Sequence, residues 1–204
     1  MYRIKPAHIT GIKVITHGIC LGFIALFYYW GFTDQLEGDP VKILIHQMGI
    51  AALNMLLLTL ALSPIAKTFR QSALIKLRRL FGLYSFAFAA LHFTNYLVFD
   101  LQLDWANLFE DIIKRPYMTV GFVSIIILFA LSITSPDNVK RKMKKHWQTL
   151  HNFVYLSGAL GVLHYIWSVK TSVGKPLVYL IIITILLVLR KDKAKHWIKK
   201  QFKA

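Results

Sequence analysis

Apolar runs of membrane length, separated by short polar punctuation, set the pattern of this chain. A helix needs about 20 apolar residues to cross a hydrocarbon core. Six segments reach or approach that length: 10–31, 42–63, 77–98, 117–135, 147–168 and 175–190. The last is the shortest; "PLVYLIIITILLVL" is unbroken, and Pro176 at its start suits a first helical turn. Turn and charge signals fall between the runs: "DQLEGDP", "SPIAKTFRQS", "EDIIKRP", "SPDNVKRKMKKH" and "KTSVGKP". The pattern predicts an all-α polytopic membrane bundle of six transmembrane helices, one domain over residues 1–204, with no evident internal repeat or low-complexity segment.

Charge then orients the bundle. Of the 25 Lys and Arg, 20 fall on one side of the six runs and five on the other: Lys42, Lys114, Arg115, Lys170 and Lys175. The acidic residues divide the opposite way. The positive-inside rule places both termini in the cytoplasm. A net charge of +16 otherwise suggests nucleic acid. Here the basic residues sit between apolar runs, and the rule accounts for them without nucleic acid; basic loops of this kind also suit anionic lipid heads. A mean hydropathy of +0.51 agrees with a membrane protein. The basic N-terminus leads into an apolar run too long for a signal segment and is expected to be retained. The tail "KDKAKHWIKKQFKA" is expected to lie at the interface, anchored by Trp197 and Phe202. With one cysteine, Cys20, and no CxxCH, covalent c-type haem and cysteine-ligated zinc or iron–sulfur centres are excluded. No GxGxxG or Walker sequence is present, so no dinucleotide domain is expected.

Candidate chemistry lies in the polar residues within the runs: His17, His46, Asn54, His92, Asn95, His151, Asn152 and His164. A single histidine in such a place often only hydrogen-bonds a neighbouring helix. Several, without any Asp, Glu, Lys or Arg at depth, suit a metal that prefers neutral imidazole, such as haem iron with two axial ligands. A proton or cation path usually carries carboxylates instead. The fourth and sixth runs hold no ionisable residue and read as scaffold.

Depth sorts the histidines. The third and fifth runs point the same way. His92 and His164 lie at depths matched within a few ångström, toward the outer leaflet. His151 lies near the cytoplasmic face, opposite Leu80 to Leu83, with His17 of the first run as a possible inner partner; His46 lies on the outer side. Thirteen residues separate His151 from His164, about 19.5 Å along a helix but roughly 140° apart around it. Either Gly158 and Gly161 allow a bend, or the two histidines serve different neighbours. The same glycines also suit close helix packing. Arg78 and Arg79, near His151 in depth, suit either positive-inside anchoring or contacts to haem propionates or a flavin phosphate.

At these residues a family resemblance appears. "RRLFGLYSFAFAALHFTNYLVFD" (78–100), "KRPYMTVGF" (114–122), "LSITS" (131–135) and "WQTLHNFVYLSGALGVLHYIW" (147–167) resemble the haem-binding membrane subunits of bacterial periplasmic methionine-sulfoxide reductase systems, the MsrQ or YedZ type. That family belongs to the ferric-reductase-like transmembrane group. The resemblance implies a histidine-ligated haem b, with His92, His151 and His164 as axial candidates, and an associated FMN. It implies electrons taken from the quinone pool or a cytoplasmic flavin reductase. They would pass outward to a periplasmic molybdopterin-containing catalytic subunit that repairs oxidised methionines. Larger relatives carry a second histidine one haem step before the His92 position, where this chain has Arg78 and Arg79, and a second haem of that kind is not expected. Two other readings stand beside this one. One is a stand-alone di-haem quinol or ferric reductase of cytochrome b561 type; the other is a histidine-lined metal transporter.

Overall fold

The computed structural model describes residues 4–169 and 174–190. The tail with Trp197 and Phe202, and the basic residues Arg3 and Lys170, lie outside the described residues. Those described are helical, with no strand among them. The helices are α1 (Pro6–Phe32), α2 (Pro40–Thr68), α3 (Arg78–Asn95), α4 (Trp105–Lys114), α5 (Pro116–Ile133), α6 (Asp137–Met143), α7 (Lys145–His151), α8 (Val154–Ser168) and α9 (Gly174–Val188). Three of them, α1, α2 and α5, are long and apolar enough to cross a membrane, and α9 is a shorter apolar helix.

Local chemistry sets the helix starts. Asp39 caps α2: its Oδ1 accepts from the backbone N–H groups of Val41 and Lys42, with Pro40 in the first turn. Asp104 caps α4 in the same way through Asn107. Pro116 opens α5. At the other end of α2 the sequence expectation is corrected. The run was expected to stop at residue 63, but the helix carries Pro64 inside it and continues to Thr68. Proline removes one i→i−4 bond and does not by itself end a helix whose apolar face stays packed; Ala66, beyond it, is buried.

A second correction concerns the fifth run. It is not one helix over 147–168. α7 ends at His151, Asn152 and Phe153 form a turn, and α8 starts at Val154. The break lies at 152–153, not at Gly158 or Gly161, so the angular difficulty between His151 and His164 disappears: they stand on different helices. Gly158 serves packing, and Gly161 lies beside Leu53 and Ser124 on the wall of a cavity. A Cβ on Gly158 would meet Leu60 Cδ1 at 3.1 Å and Ile183 Cδ1 at 3.2 Å. The third run also changes form: after Asn95 the chain widens into a π turn, Tyr96–Asp100.

α2 packs along α3, and α5 packs along α8. The main core joins these two pairs to α9 through Leu53, Leu57, Leu60, Leu128, Val162 and Ile183. α1 covers the outside of α2 and α3 through Cys20, Met48 and Phe88. Most large apolar side chains of α1, α5 and α9 that point outward remain exposed, as expected where lipid is the solvent. α4 is amphipathic. Its large apolar residues share one side, on which Leu108 is buried and Trp105, Phe109 and Ile113 stay exposed, while Glu110 and Asp111 stand on the other. Tyr96 donates to the Asp111 carboxylate and ties the π turn to α4.

Candidate functional site

His92 and His164 meet between the two helix pairs. Their ring centroids are 6.0 Å apart and their planes cross at 84°. Each ring is fixed the same way. His92 Nδ1 lies 2.7 Å from the carbonyl oxygen of Ile45 on α2, and His164 Nδ1 lies 2.7 Å from that of Tyr117 on α5. A carbonyl only accepts, so each Nδ1 carries the proton and donates. Each Nε2 is then the unprotonated, metal-competent nitrogen. One helical turn beyond each carbonyl stands a glycine. A Cβ on Gly49 would lie 2.9 Å from His92 Nδ1, and one on Gly121 would lie 2.5 Å from His164 Nδ1. Only a residue without a side chain lets the imidazole lie this close to the neighbouring helix.

These two halves repeat one another. His92 and His164, Gly49 and Gly121, Ile45 and Tyr117, and Ser85 and Ser157 are each 72 positions apart, as are Ser63-Pro64 and Ser135-Pro136. The bonding repeats too. Ser85 Oγ donates to Ala52 O at 3.0 Å, and Ser157 Oγ donates to Ser124 O at 3.3 Å, the same relation moved by 72. The chain therefore contains an internal repeat, contrary to expectation. Its two copies present one histidine each to a shared space. The fourth run is also more than scaffold, since it supplies the Tyr117 carbonyl and Gly121.

That space is a cavity of about 480 Å³, within the range of small-molecule sites. Its walls include Gly49, Leu53, Leu56, Ser124 and Leu128, and its rim Lys42 and His46. The His46 ring sits 5.9 Å from that of Tyr165. Among the described residues, no group of three or more His, Cys, Asp or Glu gathers to hold a metal. The pair alone suits an ion whose other positions come from a macrocycle. An imidazole nitrogen binds a first-row metal at about 2.0–2.1 Å. Two such bonds in line, plus just over about 1 Å from each nitrogen to its ring centre, give about 6 Å between centroids. The observed 6.0 Å fits two axial imidazoles on one iron.

The remaining predicted residues fall elsewhere. His151 does not join the pair. Its Nε2 is 3.0 Å from Thr134 Oγ1, and its ring stacks on Trp147 at 3.9 Å. The Thr134 hydroxyl proton is directed to Ala130 O at 2.6 Å, so His151 Nε2–H is the donor to that oxygen. His17, expected as an inner partner for His151, instead bonds Tyr84 at 2.6 Å on an exposed face. Asn54 accepts from Tyr179 and Asn95 from Tyr28. Arg78 and Arg79 diverge. Arg79 pairs with Asp137 at 3.3 Å, and Arg78 turns inward.

With this geometry in view, comparison with known proteins is informative. A family model described as ferric reductase like transmembrane component matches residues 47–162, the stretch that holds His92 and both glycines and ends two residues before His164. The chain belongs to that family. It is 42% identical over 198 residues to the protein-methionine-sulfoxide reductase heme-binding subunit MsrQ of Pectobacterium carotovorum subsp. carotovorum, covering 96% of this chain and 98% of the relative. The MsrQ of Pectobacterium atrosepticum is equally similar, at 42% over the same coverage, and that of Salmonella paratyphi B is 41% identical. No solved structure matches. The match thus begins within α2 and ends within α8, and so takes in most of both copies of the 72-residue repeat.

Proposed function

We propose that this chain is a haem b electron-transfer subunit of the bacterial inner membrane. It passes electrons outward to a periplasmic methionine-sulfoxide reductase of molybdopterin type. The observation that carries the reading is the facing pair His92 and His164, 6.0 Å between rings, each with its Nδ1 committed to a backbone carbonyl. The names of the MsrQ relatives, haem-binding subunits of a protein-methionine-sulfoxide reductase, support it.

His92 and His164 would hold the haem iron through Nε2. The Ile45 and Tyr117 carbonyls fix their tautomer and orientation and raise their basicity as ligands. A bound haem b supplies a one-electron couple at this position. Leu53, Leu56 and Leu128 keep the cavity apolar and limit water. In this reading six spans cross the membrane with both termini in the cytoplasm, α7 and α8 together forming the fifth, and the facing pair lies toward the periplasm. Electrons enter on the cytoplasmic side from the quinone pool or a flavin reductase, with FMN as an associated cofactor. His151 stands on that entry side, as a ligand or switch partner. Arg78 lies at the same end, within reach of a flavin phosphate. Reduction of methionine sulfoxide belongs to the partner subunit.

The test is spectroscopic. Purified protein should show a reducible b-type spectrum, and His92→Ala and His164→Ala should each abolish it. A colourless protein, or variants that keep full haem, would refute the reading. Haem-to-protein stoichiometry separates it from a di-haem b561-type reductase, for which a second pair of facing histidines is not found among the described residues. Metal flux into liposomes in the absence of haem would support the transporter alternative instead.

A further inference from the structure

Cationic side chains crowd the end of the bundle where α3 begins and α9 finishes. Arg78 opens α3, Arg190 follows α9 and Lys140 lies on α6, with the His151 imidazole beside them at the end of α7. Two of their neighbours are already satisfied. Arg79 pairs with Asp137, and Lys140 sits over the Trp147 ring at 4.6 Å. Arg78 and Arg190 are not. Arg78 Nε and Arg190 Nη2 are buried without a hydrogen-bond partner. Among the described residues Arg190 meets the face of Tyr155, 5.6 Å from its guanidinium carbon. The two guanidiniums lie within electrostatic reach of each other, and Arg78 also within reach of His151.

Two neighbouring like charges with no counter-charge among the described residues are unfavourable, and a buried donor without an acceptor more so. An anion with several acceptor oxygens relieves both conditions at once. Guanidinium forks match a phosphate in this way. A propionate of a haem at His92 is a poor candidate, because 14 residues of α3 put His92 about 21 Å further along the axis. We propose that Arg78 and Arg190, far apart in the sequence, form a binding site for a phosphate group, with Tyr155 as its apolar wall. The phosphate is carried by an anionic phospholipid or by a soluble phosphate compound. The site does not depend on the haem reading, since it stands at the other end of α3; it deepens the Arg78 phosphate contact of the proposed function by adding Arg190 and Tyr155.

The experiment uses the full chain purified in an alkyl maltoside, which has no phosphate, and follows its melting temperature. One arm titrates inorganic phosphate and the other short-chain phosphatidylglycerol. The expected result is a saturable rise in melting temperature in at least one arm. Arg78→Gln and Arg190→Gln should each raise the half-saturating concentration by about tenfold or more, whereas Arg79→Gln should leave it near the wild-type value. A response to phosphatidylglycerol alone identifies a lipid headgroup; a response to inorganic phosphate identifies a soluble ligand. If the glutamine variants fold poorly, Arg78→Lys and Arg190→Lys keep the charge, lose the fork, and should weaken binding in the same direction. A wild-type protein without a saturable response in either arm, or variants that saturate like wild type, would overturn the proposal.

Discussion

Gly121→Ala is the most informative single substitution that touches neither histidine. The new Cβ would lie 2.5 Å from His164 Nδ1, 2.8 Å from Cε1 and 3.1 Å from Cγ. Comfortable contact begins at about 3.5 Å, so the ring must retreat by about 1 Å. The Nδ1–H bond to Tyr117 O, now 2.7 Å, then passes out of range. Overpacking costs about 1–3 kcal/mol and the lost bond about 1 kcal/mol, against up to about 1 kcal/mol gained by replacing glycine with alanine in a helix. The net is destabilising. Because the ring is also displaced as a ligand, haem affinity should fall about 10–100-fold. Gly49→Ala, whose Cβ would stop at 2.9 Å from His92, should show the same loss in milder form. Gly22→Ala is the control, since its Cβ meets nothing within 4 Å, and it should be neutral or slightly stabilising. Haem retention through purification and the thermal midpoint of each variant measure the series. If Gly121→Ala keeps haem as tightly as Gly22→Ala, the close ring-to-helix approach does not position His164, and the reasoning fails.

Other parts of the structure predict their own outcomes. Ser157→Ala removes a hydroxyl 2.9 Å from Ser124 Oγ in a buried pair and should destabilise the α5–α8 contact by about 1–3 kcal/mol, read from denaturant unfolding in detergent. Tyr28→Phe takes the donor from Asn95 Oδ1 while Asn95 Nδ2 is already without a partner; a loss of about 1–3 kcal/mol is expected, and an unchanged midpoint would count against that bond. Asp39→Ala should lower the thermal midpoint at neutral pH by removing the α2 cap. The Lys42 ammonium beside Asp39, together with the backbone donors of the cap, holds its carboxyl below the ordinary value of 3.8. A depressed folded value stabilises above the unfolded one, so the difference between wild type and variant should persist above that pH and close as the pH falls below it.

The histidine pair was legible in the sequence because depth along a helix is counted in residues. His92 and His164 match in depth whatever the fine geometry. The glycines facing them were not sought, because their role lies in a contact between helices far apart in sequence. A 72-residue self-comparison would have found them, since Gly49 and Gly121 keep the same register as the histidines. The break at Asn152 and Phe153 carries no proline or glycine, so no local signal marked it. α4 was readable: Trp105, Leu108, Phe109, Ile112 and Ile113 follow helical spacing, but the stretch is short and flanked by charge, and it passed as a connection. In the sequence Arg190 reads as a positive-inside residue. Its pairing with Arg78 requires the ends of α3 and α9 to meet, which charge bias alone does not specify.

The central claim is that His92 and His164 are the two axial ligands of one haem iron, each through Nε2. Electron paramagnetic resonance of the oxidised, purified full chain tests it most directly, on wild type and on His92→Ala and His164→Ala made in parallel. The account predicts a low-spin bis-imidazole signal in the wild type that disappears in both variants. A wild-type signal of high-spin or mixed-ligand type, or a bis-imidazole signal that survives either substitution, would contradict it.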